Sequence, residues 1–322
     1  MSEFKSLTAK EMAEALTAIE HPLVVMHVNP DGDTVGSGMA LVKVLKALGK
    51  EAPYACAHDI PERLSFLTEG EVRVTEGLDG YNAVAIDVAS PKQLGDLDGM
   101  IKPSLMIDHH EVGIPFADNF IIGGASSAAE VLMCIIDELV RMGMITLNAD
   151  IASAVYAGIS SDTGGFIFSN TAADTMRRAA VLMDAGIDAA DINHRLFHSK
   201  SPDQIKAEGY AASNIKTAKD GKIGYLLIPW SVREELSIGF GAFDTAIDVV
   251  RSLMGVQIAF VIKENQEGAF RASIRSVGAD VASVAKSFGG GGHIRAAGCA
   301  IEAENLDAAA ERLLSALCKI DL

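Results

Sequence analysis

The sequence is short of positive charge. Its 322 residues hold 27 Lys and Arg against 43 Asp and Glu, a formal net charge of −16. Affinity for long nucleic acid comes largely from neutralising many phosphates, so a chain of this sign is a poor match for long DNA or RNA. Cysteine is scarce as well. Cys56, Cys134, Cys299 and Cys318 lie far apart and form no C-x-x-C pair, a pattern that fits buried free thiols in a reducing cytoplasm. No apolar run approaches the ~20 residues of a membrane span, and no basic-then-apolar signal segment opens the chain. No internal repeat or low-complexity tract stands out. The expectation is a soluble cytoplasmic protein with no membrane contact.

Apolar residues make up 49% of the chain and charged residues 22%, enough for a substantial core. Single cores rarely grow past roughly 250–300 residues, so this length suggests two domains. The acidity lies almost wholly before residue 216. Within 271–298 the sign reverses, with Arg271, Arg275, Lys286 and Arg295 facing only Asp280. A patch of that size suits one or two phosphates, and so short, few-phosphate substrates.

Thr8-Ala-Lys-Glu11 reads as a capping box opening an amphipathic helix that runs to about Ile19. Leu23 to Val28 is a continuous apolar run, hence a buried strand. After the polar break Asn29-Pro-Asp-Gly-Asp33, helical spacing runs from Gly38 to Leu48 and stops at Gly49. Short strands are expected at 52–57, 82–88 and 104–108, and helices at 126–142, 149–160 and 172–185. Alternating strands and helices imply a parallel α/β sheet, with helices on both faces, over residues 1–186. Residues 187–215 read as a partly helical connector. Over 216–322, strands at 223–229, 256–263 and 269–275 with helices at 243–254, 280–287 and 307–318 make a smaller α+β domain, expected to lie across a cleft.

Five carboxylates fall at places where they are unexpected. Asp31 and Asp33 follow a strand, Asp87 and Asp108 end strands, and Asp162 follows the helix expected over 149–160. Open α/β sheets bind ligands at the carboxyl ends of their strands. The loops there would gather these acids with His27, His109 and His110. Each piece alone has an ordinary reading: Asp-Gly-Asp is a common turn, and Asp162 before Thr163-Gly-Gly could be one too. Together they form one acidic group, and such a group is unfavourable unless cations balance it. Two divalent ions would do so, and mixed imidazole and carboxylate donors suit Mn²⁺, Fe²⁺, Co²⁺ or Zn²⁺ better than an all-oxygen Mg²⁺ or Ca²⁺ site.

The run Gly289-Gly-Gly-Gly292 carries a high entropy cost if ordered, and a linker is its plain reading. It abuts His293 and Arg295, however, where bare N–H groups at Gly290, Gly291 and Gly292 could form a concave anion site. Arg271 and Arg275 share one face of their strand and would add charge, although Arg271 reads equally as a solvated strand residue.

These segments carry a resemblance. His27-Val-Asn-Pro-Asp31-Gly-Asp33, Asp87 in Ala85-Ile-Asp-Val, Asp108-His109-His110 and Ser161-Asp162-Thr-Gly-Gly-Phe166 resemble, in order and spacing, the four motifs of the DHH phosphoesterase family. Phe288-Gly-Gly-Gly-Gly-His293-Ile-Arg-Ala-Ala-Gly298, with Ser273-Ile-Arg275-Ser276 upstream, is similar to the signature of that family's associated C-terminal domain. The resemblance spans about residues 20–320 and is nearest to the nano-RNase and pAp-phosphatase subgroup, which also includes cyclic-di-AMP phosphodiesterases. Glu111 and Val112 depart from the pattern.

The resemblance implies two metal ions, Mn²⁺ foremost. His27, Asp31 and Asp87 would hold one; Asp33, Asp87, His109 and Asp162 would hold the other, with Asp87 bridging. Asp108 would fix a histidine, and His110 would face the substrate phosphate as a catalytic group. Arg271, Arg275, Ser276, Gly290, Gly291, Gly292 and His293 would grip a short oligonucleotide or nucleotide, the gap between domains setting its length. A homodimer is implied. Competing readings are a pyrophosphatase or exopolyphosphatase-like hydrolase and a non-catalytic nucleotide-sensing module.

Overall fold

The computed structural model describes residues 4–265 and 268–321, the side chains of Phe240 and His293 excepted. The chain divides into two compact units, Met1–Ser199 and Lys200–Leu322.

The first unit begins with α1 (Ala9–Ala18), whose capping box forms as expected: the Glu11 N–H donates to Thr8 Oγ1, and the Thr8 N–H donates to the Glu11 carboxylate. β1 (Pro22–Val25) is shorter than its apolar run, so His27 stands on the loop beyond it. α2 (Gly32–Ala47) starts six residues before the helical spacing suggested. Gly32, Gly36 and Gly38 weaken the helical signal there, but Asp31 caps the helix by accepting the N–H groups of Asp33 and Thr34. β2 (Tyr54–Ala55), α3 (Ser65–Thr68), β3 (Asn82–Ile86) and β4 (Leu105–Asp108) follow. β5 (Asp118–Ile121) escaped the sequence reading because its Asp-Asn start is poor strand material and only Asn119 is buried. α4 (Ala128–Arg141), α5 (Ala149–Asp162), α6 (Ala173–Asp184) and α7 (Ala189–Asn193) complete the unit, with a π-helical turn over His194–His198.

The five strands are all parallel, in the order β2-β1-β3-β4-β5. Alternation along the strands sends Val24, Val84, Ile86 and Ile107 to one face, where α1, α2, α4 and α5 cover them. Leu23, Val25, Ala83 and Ala85 go to the other, covered by Leu78, Leu94 and Leu97 from short 3-10 turns. Both faces are therefore buried, which explains the uninterrupted apolar runs.

The second unit contains α8 (Pro202–Asn214), β6 (Lys216–Ala218), β7 (Ile223–Ile228), α9 (Trp230–Leu236), α10 (Ala246–Arg251), β8 (Ile258–Glu264), β9 (Phe270–Ser276), α11 (Val281–Ser287), β10 (Gly291–His293), β11 (Ala296–Ile301) and α12 (Leu306–Leu317). The 187–215 stretch is thus mostly helical, and the division between units falls inside it. The sheet runs β10-β11-β9-β8-β7-β6, with β7 and β8 parallel and every other pair antiparallel. Ile258, Phe260, Ile262 and Ile274 pack in one core with Ala285 of α11 and Leu313 of α12. Leu226, Ile228, Ala259 and Val261 pack in another with Ala207 of α8 and Val250 of α10. β10 was not anticipated: a strand built mainly of Gly carries little side-chain pattern to read.

Candidate metal centre

β1, β3 and β4 lie side by side and parallel, so their carboxyl ends open on one edge of the sheet. His27 follows β1, Asp87 follows β3, and Asp108 closes β4 before His109 and His110. The N-terminus of α2 brings Asp31 and Asp33 to the same edge. The last turn of α5 brings Asp162; this residue sits in the helix rather than after it.

Three groups result, each with its donor atoms within 4.8 Å of one another: His27, Asp31 and Asp87; Asp33, His109 and Asp162; and Asp87, His109 and His110. Asp87 joins the sides. Its Oδ2 lies 3.4 Å from His27 Nε2, and its Oδ1 lies 3.6 Å from His109 Nε2 and 3.8 Å from His110 Nδ1. His27 Nε2 is also 3.8 Å from Asp31 Oδ1, and His109 Nε2 is 3.9 Å from Asp33 Oδ2. Asp87 takes up a left-handed backbone, φ 57°, as the chain turns out of β3. Aspartate is among the few side-chain-bearing residues that tolerate it.

The other side of each imidazole is fixed by a hydrogen bond. His27 Nδ1 donates to the carbonyl of Val28 at 2.7 Å, and His109 Nδ1 donates to the carbonyl of Ala125 at 3.1 Å. Those bonds set the tautomer that presents an Nε2 lone pair to the carboxylates. His110 Nδ1 donates to Asp108 Oδ1 at 2.7 Å, so the histidine that Asp108 fixes is His110. Asp33 is held by the N-terminus of α4, where the Ala128 N–H donates to Oδ2 at 2.7 Å and the Ala129 N–H to Oδ1 at 3.1 Å. Gly158 of α5 permits this approach: a Cβ there would stand 2.9 Å from Asp33 Oδ1 and 2.6 Å from the Ala129 Cβ.

The electrostatics are those of crowded acids withdrawn from water. Burial, then the charge of Asp31, pushes Asp33 up to about 7. Burial, then Asp33, pushes Asp162 up to about 7. Burial and the same neighbours hold Asp87 well above the carboxylate range. Burial alone would lower His110, but the Asp108 hydrogen bond and the charges of Asp108, Asp87 and Asp33 raise it to about 9. Asp87 Oδ1 and Asp108 Oδ2 are buried with no hydrogen-bond partner among the described residues. The orphaned Asp87 Oδ1, facing the oriented Nε2 of His109, is what a divalent cation satisfies, so the donor set fits the metals that the sequence implied.

In the second unit, Arg271 and Arg275 share the face of β9 that carries Ser273, flanked on β11 by Ala300, Gly298 and Ala296 in register. Ser276 departs from expectation. The same alternation buries its side chain, and its hydroxyl donates to the carbonyl of Ala279; Ser273, not Ser276, keeps company with the arginines. The glycine run is not a bare nest either. The N–H groups of Gly289 and Gly290 donate to Lys286 and Ala285, capping α11, while Gly291 and Gly292 pair with Gly298 and Ala297. At Gly290 a Cβ would meet the Gly298 oxygen at 2.2 Å, so these glycines serve close strand packing. The His293 side chain lies outside what is described. Besides Ser273, sequence reasoning missed Asn170 and the backbone groups of 125–129, which no side-chain pattern announces.

A cluster of oriented histidines and mutually repelling aspartates on the carboxyl edge of a parallel sheet defines a metal-dependent hydrolase. Known proteins agree. The model of the DHH family, N-terminal domain, matches residues 22–159, and that of the DHHA1 domain matches residues 229–319. The bifunctional oligoribonuclease and PAP phosphatase NrnA of Thermus thermophilus is 32% identical over 95% of this chain and 92% of its own. Its namesake in Bacillus subtilis is 26% identical over 90% of this chain and 92% of its own. An exopolyphosphatase-related protein from Bacteroides fragilis has the same fold, with a TM-score of 0.85 at 22% identity over 99% of this chain and 98% of its own. The chain belongs to the DHH family and is a metal-dependent phosphoesterase.

Proposed function

We propose that the protein hydrolyses phosphate esters in very short oligoribonucleotides and in 3′-phosphoadenosine 5′-phosphate, with two divalent ions, Mn²⁺ foremost, at the Asp87 cluster. The observation that carries this reading is the two-sided engagement of Asp87, one oxygen toward His27 and the other toward His109. That geometry suits a carboxylate shared by two cations. His27 and Asp31 would complete one side, and Asp33, His109 and Asp162 the other. When bound, such ions supply Lewis acidity, which activates water for attack on phosphorus and offsets charge on the phosphoryl oxygens.

The chain's own residues supply the rest. Asp108 holds His110 by its Nδ1, and that hydrogen bond and the carboxylate's charge favour the protonated ring. We assign its Nε2 to a phosphoryl oxygen, where it balances charge and offers a proton to the leaving oxygen. Arg271, Ser273 and Arg275 form a shelf, floored by the small residues of β11, that suits a nucleotide phosphate. The net charge of −16 disfavours long strands, which agrees with short substrates.

The relatives named as oligoribonuclease and PAP phosphatase support this substrate class. The DHHA1 match over the second unit favours it over a pyrophosphatase or exopolyphosphatase activity, and the full cluster favours it over a non-catalytic sensor. Cyclic dinucleotides stand as a further substrate of the same chemistry, on the strength of the resemblance. Free thiols at Cys56, Cys134, Cys299 and Cys318 support a reducing cytoplasm. No helix among the described residues is long and apolar enough to cross a membrane. For assembly, the resemblance supports a homodimer.

The test is a turnover panel with Mn²⁺ against pApA, pAp, cyclic-di-AMP, pyrophosphate and long RNA. Hydrolysis of pApA and pAp above the rest is expected. Preferential hydrolysis of pyrophosphate, or none of any substrate, would overturn the reading.

A further inference from the structure

We propose that Glu130 and Asn170, neither of them in the Asp/His cluster, are positioning residues that hold one half of the metal centre, the Asp33, His109 and Asp162 half, through the main chain of residues 125–129. The inference rests on the metal-centre reading above.

In the hydrogen bonds described, the segment 125–129 reaches this half through backbone atoms. The Ala125 carbonyl accepts from His109 Nδ1, and the Ala128 and Ala129 N–H groups donate to the two oxygens of Asp33. Asp162 is tied in through Asn170, whose Nδ2 donates to the carbonyl of Ser126 at 2.9 Å and to that of Asp162 at 3.1 Å. The second bond satisfies a carbonyl in the last turn of α5 that has no partner within the helix. Four backbone groups on one short turn, one of them through the Asn170 amide, therefore reach all three residues. No backbone group of this turn reaches His27 or Asp31 in the hydrogen bonds described.

A turn used in this way needs an anchor. Glu130 is buried and belongs to none of the three donor groups. Its Oε2 accepts the Ser126 N–H at 2.9 Å, and both oxygens lie 3.2 Å from Thr175 Oγ1, which donates. Thr175 in turn accepts the Ala172 N–H at 3.2 Å, and Arg178 Nε stands 3.7 Å from Glu130 Oε1. Glu130 thus ties the turn to the first two turns of α6. A buried carboxylate held by a backbone donor, a hydroxyl and a guanidinium is costly to disturb. Its disturbance releases Ser126, and with it the groups that aim Asp33 and His109. Partners behind a metal ligand commonly set affinity by about 10–100-fold when removed.

A purely structural role would lower stability and weaken both halves together, whereas positioning weakens one. The experiment is Mn²⁺ titration of the chelator-stripped full-length protein, followed by calorimetry and by electron paramagnetic resonance of the bound ion. Wild type is expected to take two ions. Asn170→Ala and Glu130→Ala should each weaken one site by about 10–100-fold and leave the other at wild-type affinity. Glu130→Gln, which keeps an oxygen to accept the Ser126 N–H, should recover most of the loss. Asn170 is exposed, so its variant tests the idea even if Glu130→Ala fails to fold. Unchanged binding in Asn170→Ala, or equal weakening of both sites, overturns the inference and leaves the metal centre standing. A wild type that binds no Mn²⁺ overturns both.

Discussion

Stripping divalent cations from this protein leaves Asp33 and Asp87 buried beside the half-buried Asp162, with His110 the cationic neighbour that all three share. Their stability contribution then runs opposite to that of an ordinary salt-bridged acid. Asp33 and Asp162 titrate near 3.8 when unfolded and at about 7 when folded, so the folded state binds protons that the unfolded state has released. The stability they confer is complete below about pH 4 and is lost as pH rises to about 7. His110, raised to about 9, adds a loss in the same direction at higher pH. One pKa unit corresponds to about 1.4 kcal/mol, so a single carboxyl moved from 3.8 to about 7 is worth ~4 kcal/mol. Because each acid raises the others, the shifts do not add, and one carboxyl's worth sets the scale. About two of those pKa units, ~3 kcal/mol, lie above pH 5, and for a unit of this size 1 kcal/mol moves Tm by about 2–4 °C, giving a fall of roughly 5–10 °C from that pH upward. The assay is thermal melting of chelator-treated protein from about pH 5 to about pH 8, with and without Mn²⁺. Tm should fall with pH in the stripped protein. Added Mn²⁺ should raise it far more at the alkaline end, since ligands bind metal in their deprotonated forms. A stripped protein whose Tm is flat across that range, or equal Mn²⁺ stabilisation at both ends, would refute the reasoning.

Other perturbations follow from single contacts. Asp31→Ala or His109→Ala should abolish nearly all turnover with metal in excess while the fold survives by circular dichroism; substantial residual activity would remove these residues from the centre. Gly158→Ala should cost ~1–3 kcal/mol by overpacking and weaken Mn²⁺ binding, because its methyl must displace Ala129 or Asp33, as melting and calorimetry would report. Arg275→Ala should raise KM for pApA more than for a chromogenic phosphodiester, while Ser276→Ala, its side chain turned into the core, should lower Tm by a few degrees and leave KM unchanged. Equal losses on both substrates for Arg275→Ala would take the β9 shelf out of substrate binding.

The parts of this molecule legible from sequence are those written in side chains. The runs at 23–28 and 82–88 announced β1 and β3 because both faces of that sheet are buried. The paired histidines announced the edge they sit on. Asp31, whose ordinary reading was a turn residue, instead caps α2, and it also stands in the His27 group. What stayed hidden is written in backbone. The early start of α2 depends on glycines that lower helix propensity yet let α5 come close, a gain visible only in three dimensions. β10 is mainly glycine, and its close pairing with β11 comes from the absence of side chains. The turn 125–129 aims two cluster residues with peptide groups that any sequence possesses. Glycine and alanine positions that weaken local signals are thus the ones where chain meets chain closely, and close approach of backbone is what turns scattered aspartates into one centre. A second reading of such a sequence would therefore look for small residues one or two turns from each candidate ligand, as Gly36 stands to Asp33 and Gly158 to Asp162.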